Sequence, residues 1–194
     1  DLKAGEVHAL IGENGAGKST LMKILSGVYS KDGGSVIFDG KEINVRNTLE
    51  AQHLGISIIH QEINLMQDLT VSENIFIGRE YMKGGLIDDA RMNEEARKLF
   101  NQLGIDINPA EKMGNLTVGK QQMCEIAKAI SHEAKVIIFD EPSAALTEAE
   151  IEELFKIIRD LRAKQLGIVY ISHRMDEIKV ITDRVTVMRD GGYV

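Results

Sequence analysis

Residues Gly12-Glu13-Asn14-Gly15-Ala16-Gly17-Lys18-Ser19 satisfy the pattern G-x-x-x-x-G-K-[ST], which few folds can accommodate. Upstream, Val7-His8-Ala9-Leu10-Ile11 is a short apolar run that leads straight into the glycines. Downstream, Lys18 to Leu25 places its apolar residues at helical spacing and closes at Gly27. A glycine-rich turn between a strand and a helix lets the backbone curl until successive N–H groups point inward, and the helix N-terminus adds its dipole. The result is a cradle for phosphate groups. Lys18 supplies positive charge for the terminal phosphates, Ser19 offers a hydroxyl to Mg²⁺, and Thr20 is placed for the α-phosphate. A chance glycine-rich turn would carry neither the Lys-Ser pair nor the flanking strand and helix.

A nucleoside triphosphate site of this kind needs a second half, an apolar strand ending in acid. Val136-Ile137-Ile138-Phe139-Asp140-Glu141 has that form. Asp140 is expected to hold Mg²⁺ through water, and Glu141 to orient or deprotonate the attacking water. Alone, such a run describes many strands with solvated ends. Together with residues 12–19 it reads as the complementary half of the site.

Along the chain, Gly34 to Phe38 and Lys41 to Val45 flank Asp39-Gly40, a hairpin signal because that turn needs positive φ. Ile56-Ser57-Ile58-Ile59 reads as a buried strand. From about Leu69 to His132 the pattern is mostly helical: Thr70-Val71-Ser72-Glu73 is a capping box, and Asp88 caps a helix that runs to Leu103 and stops at Gly104. Strands and helices then alternate. Thr147-Glu148-Ala149-Glu150 caps a helix through about Gln165, Gly167 to Ile171 is a strand, Met175 to Ile181 a helix and Arg184 to Met188 a strand. The alternation predicts an α/β fold of the P-loop NTPase type, a parallel sheet flanked by helices, with a small antiparallel β layer and an inserted helical subdomain. The expected division is one domain over 1–194, with a core at about 1–65 and 134–194 and the helical subdomain at about 66–133.

Composition narrows the role. The chain has 194 residues, 43% hydrophobic and 27% charged, which suits one globular unit with a sizeable core. With 30 acidic against 23 basic residues and no basic stripe, it lacks the electrostatic footprint of a nucleic-acid binder. Apolar runs reach about four residues, whereas a spanning helix needs roughly 20. There is no signal-peptide pattern. Cys124, the single cysteine, lies at helical spacing among Met123, Ile126, Ala127 and Ile130, so it reads as a buried small residue in a reducing compartment, the cytosol by default.

Between the two half-sites lies Leu116-Thr117-Val118-Gly119-Lys120-Gln121-Gln122, just ahead of a helix. Here the chain resembles the nucleotide-binding domain of an ABC transporter, whose signature reads L-S-G-G-Q before a helix. Leu116 and Gly119 match, Thr117 replaces Ser, Val118 the first Gly and Lys120 the Gln. Gln61, after the strand, corresponds to the glutamine that contacts Mg²⁺ and the attacking water near the transporter interface. His173, after Val169-Tyr170-Ile171-Ser172, corresponds to the switch histidine that senses the γ-phosphate. Ser143-Ala144-Ala145-Leu146-Thr147 occupies the position of the family's S-A-L-D loop, without its final Asp. His8, His53, His60 and His132 match no catalytic position. The resemblance runs from Gly5 to Val194. Gly12 to Thr20, His60-Gln61-Glu62, the Val118 signature, Pro142 to Thr147 and Tyr170 to Ile178 together are most similar to the bacterial simple-sugar import ATPases of the ribose, galactose, arabinose and xylose type.

That resemblance implies ATP and Mg²⁺ as ligands, and a sandwich in which Thr117 and Gly119 meet the γ-phosphate of the opposite site. It implies a second nucleotide-binding domain, commonly fused in the same polypeptide, integral membrane permease subunits, and indirectly an extracytoplasmic sugar-binding protein. The location implied is the cytoplasmic face of the bacterial membrane, held peripherally. The intact Lys18, Asp140, Glu141 and His173 suggest the N-terminal half of such a tandem. Two other readings stand beside it. One is a non-transport ABC-type ATPase of DNA repair, chromosome structure or translation, against which stand the acidic balance and the stretch of about 54 residues between Gln61 and Leu116 without sustained heptads. The other is a module that binds nucleotide without cleaving it.

Both ends read as cut from a longer protein. The family's adenine-stacking aromatic lies upstream of the phosphate cradle, and none of Asp1 to Ile11 is aromatic. Stacking contributes about 0.5–1.5 kcal/mol, so calorimetry is expected to find ATP bound several-fold more weakly by these 194 residues than by the longer protein. Equal affinities would remove that expectation.

Overall fold

The computed structural model describes every residue except Glu62, one of the residues that carry the resemblance. A six-stranded sheet forms the centre. Its strands are β1 (Val7–Gly12), β4 (Ile56–Ile59), β7 (Val136–Asp140), β8 (Gly167–Ile171), β9 (Arg184–Arg189) and β10 (Gly192–Tyr193). The spatial order is β10-β9-β1-β8-β7-β4, and every neighbouring pair is parallel except β10 with β9. The expected α/β architecture is borne out, with the Asp39-Gly40 hairpin forming a separate antiparallel pair, β2 (Val36–Phe38) with β3 (Lys41–Ile43). Asp39 and Gly40 take φ of 48° and 74°, the double left-handed turn that closes a two-residue hairpin.

Period-two alternation sorts the strand residues between two apolar layers. Ile137, Phe139, Ile168 and Tyr170 face one layer, shared with Leu154, Phe155 and Ile158 of α6 (Glu148–Ala163). Ile138, Ile171 and Leu10 face the other, with Met22 of α1 (Lys18–Leu25) and Ala51 of α2 (Thr48–Leu54). Parallel strands covered on both faces explain why these runs are apolar without a break. Phe139 and Tyr170 are fully buried, and each such ring contributes roughly 1.5–3 kcal/mol by leaving water.

Helices α3 (Val71–Phe76), α4 (Asp89–Leu103) and α5 (Val118–Ile130) pack on one another and reach the sheet through contacts of α5 with β4. The capping boxes at Thr70/Glu73 and Thr147/Glu150 form as read from sequence, as do the Asp88 cap and the left-handed Gly104 stop of α4. Cys124 is buried in this layer, which pushes its thiol up to about 12. Several short elements escaped the sequence reading, β10 among them. Helix α2 is only seven residues long, though its signals were present: Asn47 accepts from the Glu50 N–H, and Gly55 ends it at φ 91°. Within the stretch read as mostly helical, β5 (Met82–Lys83) and β6 (Leu86–Ile87) form a small exposed hairpin around Gly84-Gly85, both at positive φ. The last helix is α7 (Met175–Ile181).

The phosphate-loop strand is locked laterally. Gly12 pairs with Met188 of β9, and a Cβ at Gly12 would overlap the Met188 carbonyl oxygen. A backbone atom cannot swing aside as a side chain can. Gly12→Ala is therefore expected to destabilise the chain by about 1–3 kcal/mol. At Gly33, where nothing lies within 4 Å of the added methyl, Ala should stay within about 0.5 kcal/mol of the parent. Urea unfolding of the two variants checks the pair; equal midpoints would contradict the account.

Candidate functional site

The parallel register brings four strand ends to one edge of the sheet. Ile59 is level with Phe139, Asp140 with Ile171, and Leu10 with Ile171. The residues that follow these ends are the phosphate loop after β1, Gln61 after β4, Glu141 after β7 and His173 after β8. In open α/β sheets ligands bind at this carboxyl edge. A cavity of about 240 Å³ opens there, lined by residues 14–20 together with Gln61, Asp140 and Glu141. Larger cavities exist, an apolar one of about 490 Å³ against the β2–β3 hairpin and one of mixed lining of about 680 Å³ beside His132. Neither touches the phosphate loop. Convergence of polar groups marks the smaller one as the chemical site, since volume alone carries no chemistry.

Gly15 and Gly17 adopt φ of 85° and 99°, curling the loop, and Gly17 precedes α1 without any side-chain cap. The first-turn N–H groups of α1 therefore have no side-chain acceptor, the arrangement that suits an anion. Lys18 Nζ donates to the carbonyl oxygens of Gly12 at 2.7 Å and Glu13 at 3.1 Å, so its ammonium is held across the loop. Ser19 and Thr20, both exposed, line the same cavity beside Asn14 and the buried Ala16.

Glu141 takes φ 49°, a left-handed conformation unusual for a residue with a side chain. Its N–H donates to the Ile171 carbonyl at 2.9 Å, which extends the β7–β8 pairing one step past the strands. Glu141 Oε1 stands 3.2 Å from His173 Nδ1, with the carboxylate largely covered and the imidazole mostly open to solvent. Strain of this kind persists where the surroundings over-determine it, and it gathers at functional sites.

Thr117 and Gly119 lie outside this cavity. Thr117 caps α5, its hydroxyl accepting from the Lys120 N–H at 3.3 Å and donating to Glu150 Oε1 at 3.4 Å. Gly119 is buried against that same carboxylate, which a Cβ would overlap. The sequence reading offered a phosphate contact for Gly119; packing against α6 is a second and independent reason for the glycine. Val118 beside it is exposed. His8 and His132 sit in structural surroundings: His8 Nε2 meets Thr186 Oγ1 at 2.7 Å, and burial, aided by Arg79, pushes His132 down to about 4.

The reading missed one buried acid, Glu177, which gathers hydroxyls from residues next to the site. The available signal was an acid on the otherwise apolar inner face of α7, with Ile178 and Ile181.

Burial raises the Asp140 carboxyl above its ordinary range, and the neighbouring Glu141 charge adds to that, while His60, Lys18 and Lys23 oppose it. The folded chain thus favours neutral Asp140 more than the unfolded chain does. The penalty is absent below the unfolded pKa and complete above the raised folded one, so the strain is present at neutral pH. Asp140→Asn removes it. Without added cation the variant should unfold later than the parent by about 0.5–2 kcal/mol at neutral pH, and the gain should vanish under acid. Thermal unfolding across pH checks this; an unchanged midpoint at neutral pH would contradict it.

The geometry has counterparts among known proteins. A family profile described as ABC transporter matches residues 1–144. The whole chain is 58% identical to a putative ribose/galactose/methyl galactoside import ATP-binding protein 2 of Burkholderia cenocepacia, and covers 38% of it. It is 55% identical to a protein of similar name from Albidiferax ferrireducens, covering 39% of that one. The chain thus spans well under half the length of these curated relatives. Among solved structures, a nucleotide-free ATP-binding cassette from an ABC transporter matches the whole chain and 80% of its own, at TM-score 0.87 and 29% identity. The ADP conformation of another such cassette matches 98% of the chain and 79% of its own, at 0.85 and 30%. A profile covering most of the chain, and a cassette fold that follows it from end to end, lead to one statement: the chain belongs to the ABC transporter family.

Proposed function

We propose that the chain is an ATP-binding and ATP-hydrolysing domain that powers import of a simple sugar through an ABC transporter. The observation that carries the reading is the gathering of Lys18, Ser19, Asp140 and Glu141 around one polar cavity at the sheet edge, with His173 in contact with Glu141 beside it. The names of the relatives, all concerned with ribose, galactose or methyl galactoside import, support the sugar class.

In this reading the N–H groups of residues 12–17 and the start of α1 bind the phosphates, and Lys18 neutralises the terminal ones. No group of three or more His, Cys, Asp or Glu side chains that could hold a metal occurs among the described residues. The oxygen donors Ser19, Asp140 and Gln61 instead fit Mg²⁺, which characteristically takes few protein ligands and shares the rest with phosphates and water. Held by these residues, Mg²⁺ would supply charge neutralisation to the bound phosphates. Glu141 orients the attacking water and takes its proton, while His173, in contact with the same carboxylate, sits at the γ-phosphate end.

The domain acts as one half of a pair. Its core, at about 1–65 and 134–194, carries the phosphate site, and the helical subdomain, at about 66–133, carries Thr117 and Gly119 to the opposing site. The second domain belongs to the same polypeptide, a reading supported by relatives more than twice as long. Membrane permease subunits receive the motion on the cytoplasmic face, and an extracytoplasmic sugar-binding protein delivers the cargo. In this reading the contact is peripheral; no helix among the described residues is long and apolar enough to cross a membrane.

The test is Glu141→Gln in the full-length protein. It should bind Mg-ATP within about threefold of the parent and lose phosphate release by about 10²-fold or more, the scale of a general base. Sustained release would take Glu141 out of this role. Uptake measured with a panel of pentoses and hexoses tests the sugar class, and failure to transport any of them would overturn it.

A further inference from the structure

Glu177 is 2% exposed, and a buried carboxylate is costly unless every lone pair is met. Here Oε2 accepts from three hydroxyls: Ser143 at 2.8 Å, Tyr170 at 2.8 Å and Ser172 at 3.1 Å. Oε1 lies 2.9 Å from Arg174 Nη1, an ion pair without hydrogen-bond geometry, so charge rather than a directed bond offsets its burial. These partners belong to different pieces of chain. Ser143 is in the loop that follows Glu141, Tyr170 is in β8, and Ser172 and Arg174 flank His173. The turn around His173 closes on itself as well, because the Arg174 N–H donates to Ser172 Oγ at 3.0 Å.

From this arrangement we infer that Glu177 is a positioning residue, tying the loop after Glu141 to the turn that presents His173 so that the two move as one unit. The inference rests on the ATPase reading for its consequence, but the tie itself is a matter of geometry. His173 is mostly exposed and makes its contact with Glu141, so its place is set by the backbone of 172–174. That backbone hangs on Glu177 through Ser172 and Arg174. The loop of residues 142–147 hangs on the same oxygen through Ser143. Without the shared acceptor, two surface loops would fluctuate independently, and Glu141 would meet His173 less often. Neither loop touches Glu177 through a residue placed in phosphate binding, so nucleotide affinity should be spared.

Three variants of the full-length protein test it, by steady-state ATP hydrolysis and by hydrogen–deuterium exchange over residues 142–147 and 172–175. Glu177→Ala should lower kcat about tenfold with KM within twofold. Glu177→Gln keeps one acceptor oxygen but turns its amide nitrogen toward the Arg174 guanidinium, donor against donor, and should fall between. Ser143→Ala, 34 residues away in sequence from Glu177, should speed exchange at 172–175 as well as in its own loop. Parent-like kcat in both Glu177 variants, or exchange in Ser143→Ala confined to 142–147, would overturn the tie. If Glu177→Ala fails to fold, Glu177→Gln and Ser143→Ala decide. A parent that releases no phosphate would count against the ATPase reading alone, and the exchange measurement would still judge the tie.

Discussion

The site hangs on the pairing of β7 with β8 and on the one hydrogen bond by which it outlasts both strands. Asp140 and Ile171 are register partners, and the Glu141 N–H then reaches the Ile171 carbonyl. That bond holds Glu141 in its left-handed turn, and the turn aims the carboxylate at His173. On the other side of β8, β1 delivers the phosphate loop at the same level. Were β7 to slip by one residue against β8, every side chain on it would change face. Ile137 and Phe139 would exchange layers with Ile138, and Asp140 would leave the cavity. The apolar layers on the two faces therefore fix the chemistry, because they fix the register.

Electrostatically the site is arranged at some cost to the fold. Two adjacent carboxylates, Asp140 and Glu141, share a half-buried corner, and burial together with their mutual repulsion raises the Asp140 carboxyl. Lys18 offsets this from across the loop while bound to backbone carbonyls. Such an array suits a polyanion with its cation better than either one alone, since the loop offers donors and the strand end offers acceptors. The same logic runs inside the protein at Glu177, where the buried charge is answered by three hydroxyls and a guanidinium.

Sequence made the local parts legible. The phosphate loop, the apolar run ending at Asp140-Glu141, the capping boxes and the Asp-Gly hairpin each signal within a few residues of chain. Strand order was not legible, because periodicity says that a strand is buried and not which neighbour it has. Helix α2 and the β5–β6 hairpin escaped because they are short, and the hairpin strands are exposed, so burial pattern carries little signal there. Glu177 escaped for a deeper reason. Its meaning lies in a partner 34 residues earlier and in hydroxyls from a strand and a turn that only the fold gathers. Gly119 was read through the resemblance to a signature motif, while the fold supplies a steric reason that the linear motif does not contain.

That steric reason reaches beyond one residue. Glu150 closes the capping box of α6, accepting from the Thr147 N–H and hydroxyl, and the same side chain fills the space above Gly119 and meets the Thr117 hydroxyl. One carboxylate thus serves as the end-stop of one helix and the lid on the start of another. A side chain at 119 would push the Glu150 carboxylate aside, and the displaced carboxylate would loosen the Thr147 cap that it closes. The glycine of the signature thus leaves room for a helix cap whose acid lies 31 residues further along the chain.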